Sequence, residues 1–277
     1  MRASESRLLE QLCGRVPGAA CPRVAVVSAH PDDEVIGAGS RLPRLRDVIV
    51  VQVTDGAPRN EQDAQAAGFG SREAYARARR EELVSALGLA GIGAEQTREV
   101  GLVDQEASHH LAELAWTLAH LFRRERPEVV VTHPYEGGHP DHDATAFAVH
   151  AARGLLGRRG EAAPVVVEMA SYHNSAGSMA TCTFLPNGSG EVTLDLEDGE
   201  RALKERMMAC FTSQQETLRG FPRDREAFRL APGYDFSRPP HEGVLLYEMF
   251  DWGLTGEQWR SLAEAAGREL KVEGLEG

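Results

Sequence analysis

Two short segments of the chain concentrate side chains that can bind a metal ion or move a proton. The segment HPDDE, residues 30–34, contains one imidazole and three carboxylates. The segment HPDHD, residues 139–143, contains two imidazoles three residues apart, a spacing that lets both project towards one point if a helix begins near Pro140. Two imidazoles and one carboxylate would leave zinc a fourth position for water, which is typical of a catalytic zinc site.

A site of this kind predicts hydrolytic chemistry. A bound metal ion lowers the pKa of its water to about 7 and polarises a carbonyl group, and a carboxylate outside the ligand set can act as general base. Helix capping is the simpler alternative for HPDDE, because acidic side chains favour a helix N-terminus. Capping would explain Asp33 or Glu34, but it requires neither His30 nor two adjacent aspartates, so we favour the metal site.

The predicted elements bring the two segments to one edge of a sheet. Short β-branched runs alternate with segments of helical periodicity, which is typical of βαβ units and a parallel sheet. Strands are predicted over residues 23–29, 47–53, 97–102, 127–133 and 164–172, and helices over 34–45, 71–89, 109–126 and 141–156. HPDDE follows the first strand and HPDHD the fourth, and open α/β sheets bind ligands at the carboxyl ends of their strands. We therefore predict an α/β fold with a Rossmann-like, mainly parallel sheet flanked by helices.

The alternation ends after about residue 172. Residues 180–196 predict two strands around a PNGSG turn, and hence a C-terminal β-hairpin. A helix over 199–211, a proline-rich stretch and a last amphipathic helix complete a helical elaboration. Because we find no interdomain linker, we predict a single domain over residues 1–277, with the parallel core in 1–175 and the elaboration in 176–277.

The composition limits the classes of partner. The net charge of −12 argues against binding to nucleic acid or to an anionic membrane surface, because no basic run compensates it. Four cysteines without a C-x-x-C pair fit neither a disulfide framework nor a thiolate zinc site. No segment has the length and apolarity of a signal peptide or a membrane span. We expect a cytoplasmic protein with a small-molecule substrate, and assembly into a homo-oligomer stays open.

A non-catalytic module that binds a nucleotide or a carbohydrate is the alternative class. Residues 37–39, GAG, with Asp55 after the second strand, partly imitate a dinucleotide-binding turn. The G-x-G-x-x-G pattern fails because Leu42 stands where the last glycine belongs, and carboxylates at the turn would repel a pyrophosphate.

In their βα contexts, HPDDE and HPDH resemble the two signatures of the LmbE-like, or PIG-L, deacetylases. This family includes enzymes that remove the acetyl group from N-acetylglucosamine attached to inositol or other aglycones. The likeness extends through residues 54–56 and 79–82 into 127–148 and covers the predicted parallel core well. It implies a zinc-dependent deacetylase acting on an N-acetylated sugar or sugar conjugate, although Fe²⁺ would accept the same ligands. An amidase of the same mechanism on a non-sugar N-acyl amine or thiol conjugate is the alternative.

The resemblance also implies roles for individual residues. By position, the metal ligands are His30, Asp33 and His142, the general base is Asp32, and His139 helps to stabilise the oxyanion.

Four further residues are candidates for supporting roles. Asp141 is expected to orient one of the imidazoles. Arg79 and Asp104 fall in segments that contact the sugar in some relatives, with salt-bridge or capping roles as alternatives. Tyr135 lies in a predicted loop beside HPDHD, where either substrate contact or simple exposure is open.

Overall fold

A seven-stranded sheet forms the centre of the protein. The computed structural model describes residues 3–16, 19–45, 47–250 and 252–271. In chain order, the strands of the two sheets are β1 (Val24–Ser28), β2 (Val48–Pro58), β3 (Thr97–Asp104), β4 (Val129–Thr132), β5 (Val165–Met169), β6 (Tyr172–Ser175), β7 (Ser178–Thr181), β8 (Glu191–Asp195) and β9 (Arg225–Leu230). Strands β6 and β7 form a separate two-stranded sheet. The central sheet has the order β3-β2-β1-β4-β5-β9-β8. Strands β1 to β5 pair in parallel, and β9 pairs antiparallel with both β5 and β8. The predicted α/β, mainly parallel fold is confirmed.

Helices cover both faces of this sheet. They are α1 (Ala3–Leu12), α2 (Asp33–Ala38), α3 (Gln62–Ala66), α4 (Arg72–Leu89), α5 (Leu111–Glu125), α6 (Pro140–Arg158), α7 (Asp198–Ala209), α8 (Gln215–Leu218) and α9 (Gly256–Leu270). One apolar core includes residues of α5, α6 and α9, and the other includes residues of α1, α2, α4 and α7. Within the described ranges, no helix combines the length and apolarity needed to cross a bilayer.

Burial on both faces explains the apolar sequence of the inner strands. In β1, Ala25 and Val27 belong to one core, whereas Val24 and Val26 belong to the other. All four side chains are inaccessible to solvent. A strand with two buried faces reads as a continuous apolar run, so its end is marked by the first polar residues. In β1 these residues lead directly into HPDDE.

The first helix after β1 is shorter than the predicted 34–45. It ends at Ala38, and residues 42–44 form a separate 3-10 turn. Pro43 lies within that turn and has no backbone N–H to donate, so a continuous α-helix cannot extend through it. β2 in turn continues to Pro58, beyond the predicted 53, because its end pairs with Asp104 at the end of β3.

The C-terminal hairpin lies at a different place from the one predicted. β6 and β7 pair antiparallel and form a two-stranded hairpin over residues 172–181. The predicted partner strand, β8, pairs instead with β9 at the edge of the central sheet. This pairing buries Val192 in the core beneath α7, which a separate two-stranded hairpin would not achieve.

A buried ion pair connects the C-terminal part of the chain to α2. Lys204 on α7 places its Nζ 3.0 Å from Glu226 Oε1 on β9, and both side chains are fully buried. The same Nζ donates to the carbonyl of Ile36 at 2.7 Å, and the backbone N–H of Ser40 donates to Glu226 Oε1 at 2.8 Å. These contacts satisfy the buried charges and fix the helix that begins within HPDDE.

Candidate active site

HPDDE and HPDHD meet at the point where the strand order reverses. Strands β2 and β3 lie on one side of β1, whereas β4, the next strand in the chain, lies on the other side. β1 and β4 are in register, with Val24 opposite Val129. The segments that follow these two strands therefore share one crevice, which is the ligand-binding position of open α/β sheets.

The three predicted metal ligands form one buried cluster. His30 Nδ1 lies 3.3 Å from Asp33 Oδ2, and His142 Nε2 lies 3.2 Å from Asp33 Oδ1. Potential ligand atoms of the three residues all lie within 4.8 Å of one another. Tetrahedral zinc with ligands at about 2.0–2.2 Å separates its donor atoms by about 3.3–3.6 Å. The spacing therefore fits a divalent metal ion.

Unsatisfied polar atoms support this fit. His142 Nε2 is buried and, among the described residues, has no partner in hydrogen-bonding geometry despite its proximity to Asp33. Burial opposes ionisation of Asp33, yet His142 and His133 beside it hold the pKa of this carboxyl well below its usual range. A deprotonated carboxylate and an unbonded imidazole nitrogen are the forms that a metal ion requires.

A second donor group shares His30. It consists of His30, Asp104, His139 and Asp141, whose ligand atoms also lie within 4.8 Å of one another. His30 Nε2 lies 3.1 Å from Asp104 Oδ1 and 3.4 Å from Asp141 Oδ2. The Asp141 carboxylate accepts backbone hydrogen bonds from Gln105 and Ala107, so it is held in place. Asp141 therefore faces the imidazole of His30.

Asp32 occupies a strained position at the start of α2. Its φ of 140° lies in a region that residues other than glycine rarely adopt, and its side chain makes no helix-capping hydrogen bond. Burial raises the pKa of Asp32 to about 7, although Arg79 opposes the shift. An aspartate with this pKa can exchange a proton near neutral pH.

Arg79 on α4 fixes the position of Asp32. Its Nη2 donates to Asp32 Oδ2 at 2.9 Å and to the carbonyl of Pro31 at 2.8 Å, and its Nη1 donates to the carbonyl of Gly56 at 2.7 Å. Gly56 has a φ of +65°, and a Cβ there would lie 2.7 Å from the guanidinium carbon. Glycine at this position therefore lets Arg79 approach. Arg79 lines the cavity, but its guanidinium is engaged with these protein groups.

His139 caps the helix that carries His142. Its Nδ1 accepts a hydrogen bond from the backbone N–H of Asp141 at 3.1 Å, and α6 begins at Pro140. Burial and the neighbouring His30 hold the pKa of His139 well below its usual range. The imidazole is therefore neutral, and because Nδ1 is an acceptor its proton resides on Nε2.

Most of these side chains, but neither Asp141 nor His142, line one cavity. Its volume is about 530 Å³, which lies within the range of about 300–1,000 Å³ for small-molecule sites. The predicted residues that line it are His30, Asp32, Asp33, Arg79, Asp104 and His139. The sequence did not single out other parts of the lining, which include Asp63, Tyr75, Tyr172, residues 212–217, Phe221 and Trp252. These residues carry no motif and come from helices, strands and loops far apart in the chain.

Helix α4 also holds the opposite wall of the cavity. Glu82 Oε1 accepts hydrogen bonds from Thr212 Oγ1 at 2.7 Å and from the backbone N–H of Ser213 at 2.8 Å, and its Oε2 accepts from Ser213 Oγ. Gln214 donates its side-chain amide to the hydroxyl of Tyr75 on the same helix. Residues 212–214 are thus attached to α4 by side-chain and backbone hydrogen bonds.

The structure contradicts the substrate contact predicted for Tyr135. Its ring packs 5.2 Å from that of Trp259 and 4.9 Å from that of Phe236, in the apolar core beneath α9. Its hydroxyl donates to the carbonyl of Arg238 at 2.9 Å. The loop after β4 turns this ring inward, where burial of aromatic surface is favourable, and it does not line the cavity.

His133, at the end of β4, supports the cluster from behind. Its Nε2 accepts a hydrogen bond from the backbone N–H of Ala29 at 3.0 Å, and its ring stacks 3.9 Å from that of His142. The same nitrogen lies 3.4 Å from Asp33 Oδ2. His133 thus restrains the orientation of both neighbours.

Several known proteins are similar to this chain. The family model for PIG-L, GlcNAc-PI de-N-acetylase, matches residues 25–153. A 1D-myo-inositol 2-acetamido-2-deoxy-alpha-D-glucopyranoside deacetylase of Mycobacterium sp. (strain KMS) is 35% identical in a 154-residue alignment that covers 47% of this chain and 50% of the relative. A probable N-acetyl-alpha-D-glucosaminyl L-malate deacetylase 2 of Bacillus subtilis (strain 168) is 28% identical in a 203-residue alignment that covers 71% of this chain and 85% of the relative.

The fold is shared with a solved deacetylase of the teicoplanin biosynthesis pathway. The two structures align with a TM-score of 0.59 and 20% identity, over 75% of this chain and 96% of the other. The chain spans about half the length of the mycobacterial relatives it matches. Both segments, HPDDE and HPDHD, fall within the matched residues 25–153. Over residues 25–153, the chain therefore matches the PIG-L (LmbE-like) family.

Proposed function

We propose that this protein is a metal-dependent N-deacetylase that hydrolyses the acetamide of an N-acetylated amino sugar or sugar conjugate. The observation that carries this proposal is the cluster of His30, Asp33 and His142, which lies beside Asp32 at a cavity lined by His30, Asp32 and Asp33. The activities named for the relatives support it. We also propose that the chain forms one domain, because β8 and β9 extend the same sheet as β1 to β5.

His30, Asp33 and His142 would hold the metal ion. Their two imidazoles and one carboxylate favour zinc, and ferrous iron accepts the same donors. When bound, the ion supplies a water of lowered pKa and polarises the acyl oxygen. His30 would bind through Nδ1, because its Nε2 faces Asp104 and Asp141.

Asp32 would move the proton. Arg79 donates to its Oδ2, which leaves Oδ1 to accept a proton from the attacking water. The water oxygen forms the new bond to the acyl carbon, and the carbon–nitrogen bond then breaks. Asp32 delivers its proton to the departing nitrogen, so the products are acetate and a free amine.

His139 would stabilise the oxyanion. Its Nδ1 accepts a hydrogen bond at the start of α6, so the N–H group at Nε2 is the one that can donate to a substrate in the cavity. A neutral imidazole donating from Nε2 to the developing negative charge stabilises the transition state more than the ground state.

We expect His139→Ala to lower kcat by about 10²–10³, as removal of one oxyanion donor does. Because alanine also removes a helix cap, His139→Ser is the matched control: serine caps well but lacks the imidazole. Steady-state kinetics and thermal unfolding should show that His139→Ser recovers stability but not activity. If the His139→Ser variant has most of the activity of the unmodified protein, His139 does not stabilise the oxyanion.

The first test of the proposed function combines metal removal with a substrate panel. The chelated protein should release no acetate from N-acetylated amino sugars, and zinc or ferrous iron should restore release in proportion to the metal bound. Acetate and metal content would be measured on the same samples. Metal-loaded protein that releases acetate from no amino sugar in the panel, or that works equally well after chelation, would refute the proposal.

A further inference from the structure

The C-terminal part of the chain restrains the loop that carries His139. We call residues 244–250 and 252–259 the C-terminal arm. In this arm, the backbone N–H of Leu246 donates to the carbonyl of Gly137 at 2.9 Å, and Trp259 Nε1 donates to the carbonyl of Pro140 at 3.1 Å. Gly137 and Pro140 lie on either side of His139 in the sequence, so the arm holds the backbone both before and after the imidazole.

Two glycines let the C-terminal arm pack closely against this loop. Gly137 has a φ of +68°, and a Cβ there would lie 2.7 Å from Leu245 Cδ2. A Cβ on Gly256, at the start of α9, would lie 2.7 Å from Leu245 Cδ1. The buried side chain of Leu245 thus contacts both the loop before α6 and the start of α9.

Trp252 brings an aromatic ring of the C-terminal arm against His139. The two ring centroids lie 4.6 Å apart at an interplanar angle of 49°, and Trp252 also lines the cavity. The ring of Phe250 stacks on that of Trp252 at 4.7 Å and is half exposed. Phe250, Trp252 and His139 therefore form a series of ring contacts from the surface to the proposed oxyanion donor.

The orientation of the His139 ring depends on more than its hydrogen bond. Rotation about the bond between Cβ and the ring would exchange ring nitrogens with ring carbons, and this torsion is only weakly restricted in histidine. Nδ1 accepts from the backbone N–H of Asp141, but one neutral hydrogen bond favours an orientation by roughly tenfold at most. The His30 ring lies 4.5 Å from that of His139, nearly perpendicular to it, and Trp252 adds a second ring contact. Close packing of both rings opposes rotation.

From these contacts we infer that Trp252 is a positioning residue for His139. It holds the imidazole with Nε2–H available to the substrate, and it helps to keep His139, which is 6% exposed, away from water that would compete for that N–H. The inference deepens the proposed deacetylase function and rests on it. Because Trp252 lies beyond residues 25–153, it assigns part of the catalytic geometry to the C-terminal elaboration.

Kinetics of two Trp252 variants test the inference. With zinc-loaded protein and an amino sugar that the unmodified protein deacetylates, Trp252→Ala should lower kcat about 10–10²-fold, because small displacements of a catalytic group have effects of this size. KM and bound zinc should change by less than about threefold. Trp252→Phe keeps an aromatic ring beside His139 and should retain most of the activity. A higher KM at unchanged kcat would mean that Trp252 only binds substrate, and it would overturn the inference.

Trp116→Ala is the matched control. Trp116 is a half-buried residue of α5 whose ring lies 6.3 Å from that of another histidine, His120, and it does not line the cavity. This variant should leave kcat unchanged. An equal loss of kcat in Trp116→Ala and Trp252→Ala would reflect general destabilisation and would contradict the positioning role.

A double-mutant cycle determines whether Trp252 acts through His139. In His139→Ala protein the imidazole is absent, so adding Trp252→Ala should lower kcat by less than about threefold further. If Trp252→Ala has its full effect in this background, Trp252 does not act through His139.

NMR of the imidazole nitrogens separates the inference from the proposed function. In zinc-loaded protein labelled with ¹⁵N-histidine, the His139 signals are those missing from His139→Ser, and they should show one neutral form with the proton on Nε2. Trp252→Ala should shift or split these signals, whereas Trp116→Ala should not. Unchanged His139 signals in Trp252→Ala refute the inference whether or not acetate is released. The expected NMR result without acetate release from any amino sugar refutes only the proposed function.

Discussion

Replacing Asp32 by asparagine is expected to lower kcat by about 10²–10⁴ while metal content stays at that of the unmodified protein. Asparagine is nearly isosteric with aspartate, so it should occupy the same strained position at the start of α2. Its side-chain oxygen can still accept the hydrogen bond from Arg79. What is lost is the ability to take up a proton.

Metal analysis separates this role from ligation. Asp32→Asn and the unmodified protein would be loaded with zinc, dialysed and assayed for metal, turnover and thermal unfolding. Asp63→Asn, which changes an aspartate elsewhere in the cavity, serves as the control and should keep most of its turnover on an uncharged substrate. Loss of metal from Asp32→Asn would mean that Asp32 is a ligand and that the base lies elsewhere.

His142→Ala is expected to empty the metal site. The side chain places Nε2 3.2 Å from Asp33 Oδ1, while its Nδ1 lies 3.2 Å from the hydroxyl of Ser171. Without it, one imidazole and one carboxylate remain of the proposed ligands. Bound metal after dialysis should fall to less than about a tenth of that in the unmodified protein, and activity should fall with it.

His150→Ala is the matched control for this variant. It removes an imidazole from the same helix, α6, and its ring contacts Tyr234 and Phe236 rather than the cluster. We expect it to retain metal even if packing suffers. If His142→Ala retains metal as well, the ion would have to be held by the second donor group, and His139→Ala should then release it.

Much of the fold followed from local pattern. Strands with two buried faces read as continuous apolar runs, and the polar residues that end β1 and β4 stand out against them. Because parallel neighbours end at the same edge, two segments more than a hundred residues apart could be placed together before any contact was known. The meeting of the two segments was predictable for that reason, whereas the choice of His30, Asp33 and His142 as ligands came from the resemblance to the deacetylase family.

Long-range pairing and loop structure were not predictable in the same way. β8 pairs with β9 rather than with β7 because this pairing buries Val192. Burial of Val192 depends on the assembled core and not on the local sequence. Tyr135 was assigned to substrate contact from its place in a loop, but tertiary packing turned it towards Trp259. The wall at 212–214 carries no motif, and its position is set by long-range hydrogen bonds to Glu82.

The two anchoring residues of α4 make the cavity preorganised. Arg79 and Glu82 are three residues apart on one helix and therefore on one face. The first holds Asp32 and the second holds the wall at 212–214, so the width between the reacting end and that wall is set by an 18-residue helix. A substrate that fits then loses little affinity to the ordering of protein segments. Changes at residues 215–217 can thus alter the lining of the cavity while Asp32 stays in place.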